Sequence, residues 1–207
     1  MSGTTELQAR FGAIDIYLFD QLLKGRITPD DRILDAGCGS GRNAHYLLAE
    51  GFHVWGVDHN PRAVAAFAEL AAELGHPISG ERAQVSTLDR LPFPDHEFDV
   101  VICSAVLHFA TGHTQFHAMV SELWRVLRPG GLFFARLASS EGIRDQIRDL
   151  GDGRAILPDG SERYLTTERD LMALTARHGA LLDPLKTTIV HGQRAMTTWV
   201  GRKGRGI

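Results

Sequence analysis

Apolar residues recur along this chain with two periods, near 3.6 and near 2, and the switches between them mark its elements. From Glu6 to Lys24, Phe11, Ile14, Leu18 and Leu22 fall at helical spacing, which predicts one leading helix stopped by Gly25. Thr28-Pro29-Asp30 forms a turn, and Ile33-Leu34 begins a first strand that ends in Asp35. A helix carrying Ala44, Leu47 and Leu48 follows and closes at Gly51, and Val54 to Val57 makes a second strand ending in Asp58. Asn60-Pro61 starts the next helix with a capping amide and a proline at its first position. Its stripe is Val64, Phe67, Ala71 and Leu74.

A weaker strand is expected at 82–85, then a proline-punctuated loop at 91–95. Phe98 to Cys103 is a continuous apolar run, the pattern of a strand buried on both faces of a parallel sheet. The helix from Thr114 turns Phe116, Met119, Val120, Leu123 and Leu127 inward, with Arg125 and Arg128 in its last turn, where cations suit the dipole. Pro129-Gly130-Gly131 ends it, and 132–137 is a fifth strand. The stretch 138–164 is polar and glycine-rich, with a short helix expected near 144–150. A helix at 167–178 and a hairpin of strands at 186–190 and 195–200 close the chain. Strand and helix alternate throughout, so the expected fold is α/β with a parallel sheet and right-handed crossovers.

Composition narrows the class. The 207 residues are 43% hydrophobic and 23% charged, enough for one domain with its own core. Within it, 1–28 is the accessory helix, 29–137 a ligand-binding core, 138–165 a variable segment and 166–207 the closing helix and hairpin. A formal net charge of −3 offers no attraction to nucleic acid or anionic lipid. Met1 to Arg10 lacks the basic head and apolar core of a leader, and the apolar run 100–110 is too short to span a bilayer. Cys38 and Cys103 make no disulfide framework. A cytoplasmic protein with no membrane or nucleic-acid partner is expected; its oligomeric state stays open.

The chemistry concentrates in Asp35-Ala36-Gly37-Cys38-Gly39-Ser40-Gly41-Arg42. Glycines at alternate positions let the backbone turn tightly and approach a ligand, beside the free N–H groups of a helix start. A dinucleotide fingerprint needs G-x-G-x-x-G, but here Arg42 stands at the third glycine's place. Asp35 would also repel a pyrophosphate, like charges a few ångströms apart costing free energy in a crevice. A carboxylate there suits a cationic ligand such as S-adenosylmethionine, with its α-ammonium and sulfonium. Asp58, at the carboxyl end of the second strand, is placed to accept hydrogen bonds from ribose hydroxyls.

These residues carry a resemblance. The run Leu34 to Gly41 is similar to the first motif of class I S-adenosylmethionine-dependent methyltransferases, and Val57-Asp58 resembles their second-strand acidic end. Leu91-Pro92-Phe93-Pro94-Asp95 with Phe98-Asp99-Val100-Val101, and Leu127-Arg128-Pro129-Gly130-Gly131, resemble their fourth- and fifth-strand motifs. The nearest likeness is to small bacterial enzymes of the ubiquinone/menaquinone and tellurite groups. The resemblance implies a doubly wound, Rossmann-like, mostly parallel seven-stranded sheet with one antiparallel C-terminal strand and helices on both faces. It also implies methyl transfer from S-adenosylmethionine to an acceptor. The implied cofactor-binding residues are Asp35, Gly37, Gly39, Gly41, Asp58, His59, Thr87, Leu88 and Ser104. His59 would lie on the adenine. Thr87 departs from the family, which usually has an acid there for the adenine amino group; Leu88 would still offer its backbone N–H.

The acceptor is a small molecule on negative evidence. No Asn/Asp-Pro-Pro-aromatic run follows the fourth strand, and neither cysteine has the setting of a cytosine-methylating nucleophile. His108, just after the fourth strand, is the candidate general base, or else a packed loop histidine. His113 and His117, four apart, would share a helical face and could bind a metal with His108, but no nearby carboxylate completes a site and no metal is expected. Arg136, at the end of the fifth strand, would either hold an anionic acceptor, tellurite or another chalcogen oxyanion among them, or pair with a carboxylate such as Glu141. His191 and Arg194 on the hairpin return to the same edge and otherwise form a surface turn. Asp15, Tyr17 and Asp20 face a pocket or solvent. The competing readings are a non-catalytic S-adenosylmethionine-binding module and an NAD(P) oxidoreductase.

Overall fold

The computed structural model describes residues 3–205; Met1-Ser2 and Gly206-Ile207, the two ends of the expected domain, lie outside the described residues. The leading segment is two helices, α1 (Gly3–Phe11) and α2 (Ile16–Leu23), where the periodicity suggested one. Gly12 breaks it with φ +60°, and Asp15 restarts it by accepting from the Tyr17 N–H at 2.9 Å as an N-cap. The core elements are β1 (Arg32–Ala36), α3 (His45–Ala49), β2 (His53–Asp58), α4 (Pro61–Glu73), β3 (Ala83–Val85), β4 (Phe98–Ser104), α5 (His113–Val126) and β5 (Leu127–Ser139). The expected short helix near 144 is one 3-10 turn, Arg144–Gln146. After it come β6 (Arg148–Gly151), β7 (Arg154–Ile156) and β8 (Glu162–Tyr164), a small antiparallel sheet too short-stranded for its period to be read. The chain ends with α6 (Glu168–His178), β9 (Gly179–Leu181), β10 (Lys186–Val190) and β11 (Arg194–Lys203).

The main sheet runs β10-β11-β5-β4-β1-β2-β3. β1, β2, β3, β4 and β5 pair in parallel, and β11 is antiparallel to both β5 and β10. The architecture is therefore the expected Rossmann-like sheet of seven strands, doubly wound, with one antiparallel strand. The short β9 pairs with β11 as well, beyond the end of β10.

Strand alternation divides the core into two layers. Val101, Cys103, Phe133 and Ala135 face α5 and α6, together with Trp124 and Trp199. Val100, Ile102, Leu132 and Phe134 face α2, α3 and α4, with Leu18, Leu47 and Phe67. Apolar side chains on both faces explain why β4 reads as a continuous run rather than an alternation. The order of β4 and β1 in the middle leaves a crevice at their carboxyl ends, where the strand order reverses.

Two details differ from the sequence reading. Helix α5 hands over directly to β5 at Leu127, which pairs with Phe98 before the register shifts to Val100 opposite Leu132. Arg128 thus leaves the helix and binds Asp99 at 2.5 Å. The cation at the end of α5 is Lys203, whose Nζ donates to the carbonyls of Trp124 at 2.5 Å and Leu127 at 2.7 Å. Arg125 instead clamps the proline loop, donating to the carbonyl of Phe93 at 2.8 Å and to Asp95 at 2.8 Å.

Helix α4 approaches closely because two glycines lack side chains. A Cβ on Gly56 would lie 2.6 Å from Phe67, and one on Gly41 would lie 2.5 Å from Leu70. Gly56→Ala should therefore cost about 1–3 kcal/mol through overpacking, read as a lower urea midpoint. Adding Phe67→Leu should recover part of that loss, whereas additive losses would contradict the contact.

Candidate active site

The turn after β1 is held by backbone hydrogen bonds before any ligand is considered. The N–H groups of Gly37 and Cys38 both donate to the Val57 carbonyl, at 2.8 and 2.9 Å. Gly37 has φ +82°, and a Cβ there would meet Val106 at 2.3 Å. Gly39 has φ +53° with nothing within 4 Å of a Cβ position, so its α-carbon faces open space. Gly41 differs. Its φ is +87° and its α-carbon faces Leu70 and Phe67 of α4, so backbone conformation and packing against α4 both require glycine here.

Beside the turn lies a cleft of about 410 Å³. It brings together Gly37, Asp58, His59, Thr87, Leu88 and Ser104 from four separate stretches of sequence, with Ala105, Val106, Phe109, Gln115 and Met119 completing the walls. Asp58 is oriented by two backbone donors, Gly39 N–H at 3.0 Å on one oxygen and Asn60 N–H at 2.9 Å on the other. Each oxygen keeps a lone pair for a ligand hydroxyl. His59 is 82% exposed, with Nδ1 3.2 Å from Asp58, free to lie over a planar ring. Ser104 receives a long hydrogen bond of 3.4 Å from Arg42.

Asp35 sits behind the turn, 2% exposed, with Oδ2 buried and without a hydrogen-bond partner. Burial pushes its carboxyl up to about 7, against the lowering effect of Arg42 and with a smaller raising effect from Asp58. An orphaned buried carboxylate beside an open glycine turn calls for a cation or a hydrogen-bond donor from a ligand. At Thr87 the sequence lacks the expected acid, but Asp89 stands two residues on. The Thr87 hydroxyl is the main influence holding the Asp89 carboxyl below its usual range. Asp89 also accepts from Gln115 of the cleft wall at 3.3 Å. Asp89 does not itself line the cleft.

A second cavity of about 360 Å³ adjoins the first, and Ala105 lines both. Ala105 is a non-glycine residue at φ +64°, fixed by its N–H to the Arg136 carbonyl at 2.7 Å. His108, Arg136 and Arg194 meet here as the sequence suggested, while His191 does not line the cavity. Arg42, Ser161 and Arg163 join them; Ser161 and Arg163 come from the small sheet, whose strands the pattern did not reveal. Arg136 pairs with Asp15 at 3.0 Å, not with Glu141, which instead accepts from the Glu168 N–H at 3.0 Å. Asp15 is accordingly buried at the sheet edge, and Tyr17 lies under the Arg136 guanidinium and bonds Thr188 at 2.9 Å. Asp20 pairs with Lys24 at the surface.

His108 is buried, and its Nδ1 accepts from the Ala138 N–H at 3.3 Å. Burial, and secondarily Arg163, push its pKa down to about 4. The neutral ring then carries its proton on Nε2 and presents a donor to the cavity, leaving no basic lone pair there. His113 bonds Tyr164 at 2.8 Å and His117 is exposed. Among the described residues no three His, Cys, Asp or Glu side chains gather as a metal site. Burial raises both Cys38 and Cys103 thiols, which makes them poor nucleophiles.

A glycine turn, an acid at the end of β2 and a crevice at the strand-order reversal define a Rossmann-like nucleotide-cofactor protein of the methyltransferase kind. Residues 34–135 match the methyltransferase domain family. An uncharacterized methyltransferase of Synechocystis is 36% identical over 107 residues, 52% of this chain and 47% of that protein. A Pyrococcus horikoshii structure superposes with TM-score 0.73 at 18% identity, covering 91% of this chain and 89% of the other. The Burkholderia thailandensis 1,6-didemethyltoxoflavin N1-methyltransferase, solved with S-adenosylhomocysteine, gives 0.68 at 22% identity over 98% and 81%. Residues 34–135 are thus a methyltransferase domain of the class I, S-adenosylmethionine-dependent kind, whose cofactor is S-adenosylmethionine. The chain spans about half the length of the first curated relatives it matches. No helix among the described residues is long and apolar enough to cross a membrane.

The buried acid makes a testable demand. With a folded pKa near 7 against an ordinary 3.8, Asp35 destabilises the ligand-free fold where it must ionise. Asp35→Asn should therefore raise stability at pH 8, by on the order of 2–4 kcal/mol. The gain should shrink as pH falls through 7 and vanish near 4, where Asp35 is protonated in both states. Urea unfolding across pH checks this; a pH-independent difference would contradict it.

Proposed function

We propose that this protein binds S-adenosylmethionine in the first cleft and transfers its methyl group to a small molecule held in the second. The observation that carries the reading is the pairing of the orphaned Asp35 carboxylate with the two-amide-oriented Asp58 on either side of the open Gly39 turn. Asp58 would receive the ribose hydroxyls, and His59 and the Thr87–Leu88 backbone would flank the adenine. Asp35 would sit toward the ammonium, where a cation lowers the cost of ionising a buried acid. When bound, the cofactor supplies a methyl group already activated on a sulfonium, for in-line displacement by the acceptor.

The chain's own part is alignment and exclusion of water. Phe109, Val106 and Met119 make the first cleft largely apolar. His108 offers its Nε2–H to the acceptor, so its role in this reading is to donate a hydrogen bond and not to remove a proton. The acceptor therefore arrives with its attacking lone pair free. A second chamber joined at Ala105 is what a transferase requires and a cofactor-sensing module does not, which favours turnover. Arg42 at the third glycine's place and Asp35 beside it disfavour an NAD(P) oxidoreductase. The two buried free thiols suit a reducing cytoplasm.

Calorimetry with S-adenosylhomocysteine should show saturable binding that Asp58→Ala weakens about 100-fold, two charge-assisted hydrogen bonds being lost. Asp58→Asn should lose less. A wild-type protein that binds NADH in competition, or binds neither ligand, would overturn the assignment. With methyl-labelled cofactor and fractionated lysate, label should enter the small-molecule fraction; label confined to protein or nucleic acid would refute the acceptor class.

A further inference from the structure

Resting on the reading of the second cavity as the acceptor chamber, we infer that it selects acceptors carrying a carboxylate, phosphate or similar oxyanion. Four guanidinium groups line the chamber, those of Arg42, Arg136, Arg163 and Arg194, and no acidic residue is among its lining residues. The nearby carboxylates offset this charge only in part. Asp15 engages one edge of Arg136 at 3.0 Å, and Asp35 lies beyond Arg42 with its carboxyl raised toward neutrality. Asp159, on the exposed turn before β8, acts on Arg163 and Arg194 from outside.

The arginines come from four parts of the fold: the helix start after β1, the end of β5, the small sheet and the hairpin. Four cations brought together from distant sequence raise a mutual repulsion that a bound anion relieves. Their planar forks match carboxylate and phosphate geometry. Arg163 is held by stacking on Phe109, its guanidinium 4.8 Å from the ring, and by donating to the Glu162 carbonyl at 2.6 Å. Arg136 retains a buried Nε with no partner. Arg42 also bonds Ser104 of the cofactor cleft, so it stands between the chambers, and Arg163 and Arg194 are left as the grip on the acceptor. A chamber of about 360 Å³ is of the size that holds a small molecule.

The test uses protein saturated with S-adenosylhomocysteine, titrated at low salt with inorganic phosphate, malonate and the neutral malonamide. Phosphate or malonate should bind saturably and raise the melting temperature, and malonamide should do neither. Arg163→Gln/Arg194→Gln should weaken anion binding at least 10-fold while leaving the melting temperature without anion and the affinity for S-adenosylhomocysteine unchanged. Equal response to malonamide, no saturable anion binding, or unaltered anion binding in the double variant would each overturn the inference. Absence of S-adenosylhomocysteine binding in the wild type is a separate result, which would remove the cofactor reading beneath it.

Discussion

The carbonyl of Val57 accepts two backbone N–H groups, and this single acceptor fixes the turn on which both cavities depend. It draws Gly37 and Cys38 across the end of β2, so that Gly37 lies too close to Val106 for any side chain. The turn in turn places Gly39 N–H on Asp58. A buried acid, an oriented acid and an open α-carbon are thereby collected around one crevice. The cost is the unsolvated carboxylate of Asp35, which in the proposed function is stability given up in return for affinity toward a cation.

From that crevice the geometry extends through Ala105. Its left-handed backbone ends β4 and redirects the chain into the turn that carries His108 and Phe109. The same residue's N–H ties it to β5 at Arg136, so the wall between the chambers is rigid. The accessory helices are locked to this edge by the buried Asp15 and its bond to Arg136. The Asp15 N–H also donates to Asn43 at 3.0 Å. Asp15 thus ties the second leading helix to this edge of the sheet, while Asp20 faces solvent beside Lys24, so the polar residues of the segment divide between the two settings left open for them.

What was legible in the sequence was whatever depends on neighbours in the chain. Period, caps and glycine spacing announced the β1 turn, Asp58 and the Asn60-Pro61 helix start because each is a local device. The two-sided burial of β4 was legible from its continuous apolar run. What stayed hidden was set by tertiary pairing. The small sheet has strands of three and four residues, too short for alternation to rise above chance. Arg163 therefore carried no signal in the sequence. Arg136 stood out as a cation in an apolar strand, but its partner, Asp15, lies far away in sequence. His108 was found for its position and not its role, since the Ala138 N–H that fixes its tautomer is invisible without the fold. Gly41 matched a motif for reasons of backbone conformation and packing.

In the proposed function a cationic cofactor meets the raised carboxyl of Asp35. Binding of S-adenosylhomocysteine, whose α-ammonium remains, measured by calorimetry at pH 6.5 in two buffers of different ionisation enthalpy, tests that meeting directly. Saturable binding is expected, with net release of a fraction of a proton that disappears in Asp35→Asn. Binding with no proton release in the wild type, or no binding at all, would contradict the proposed function.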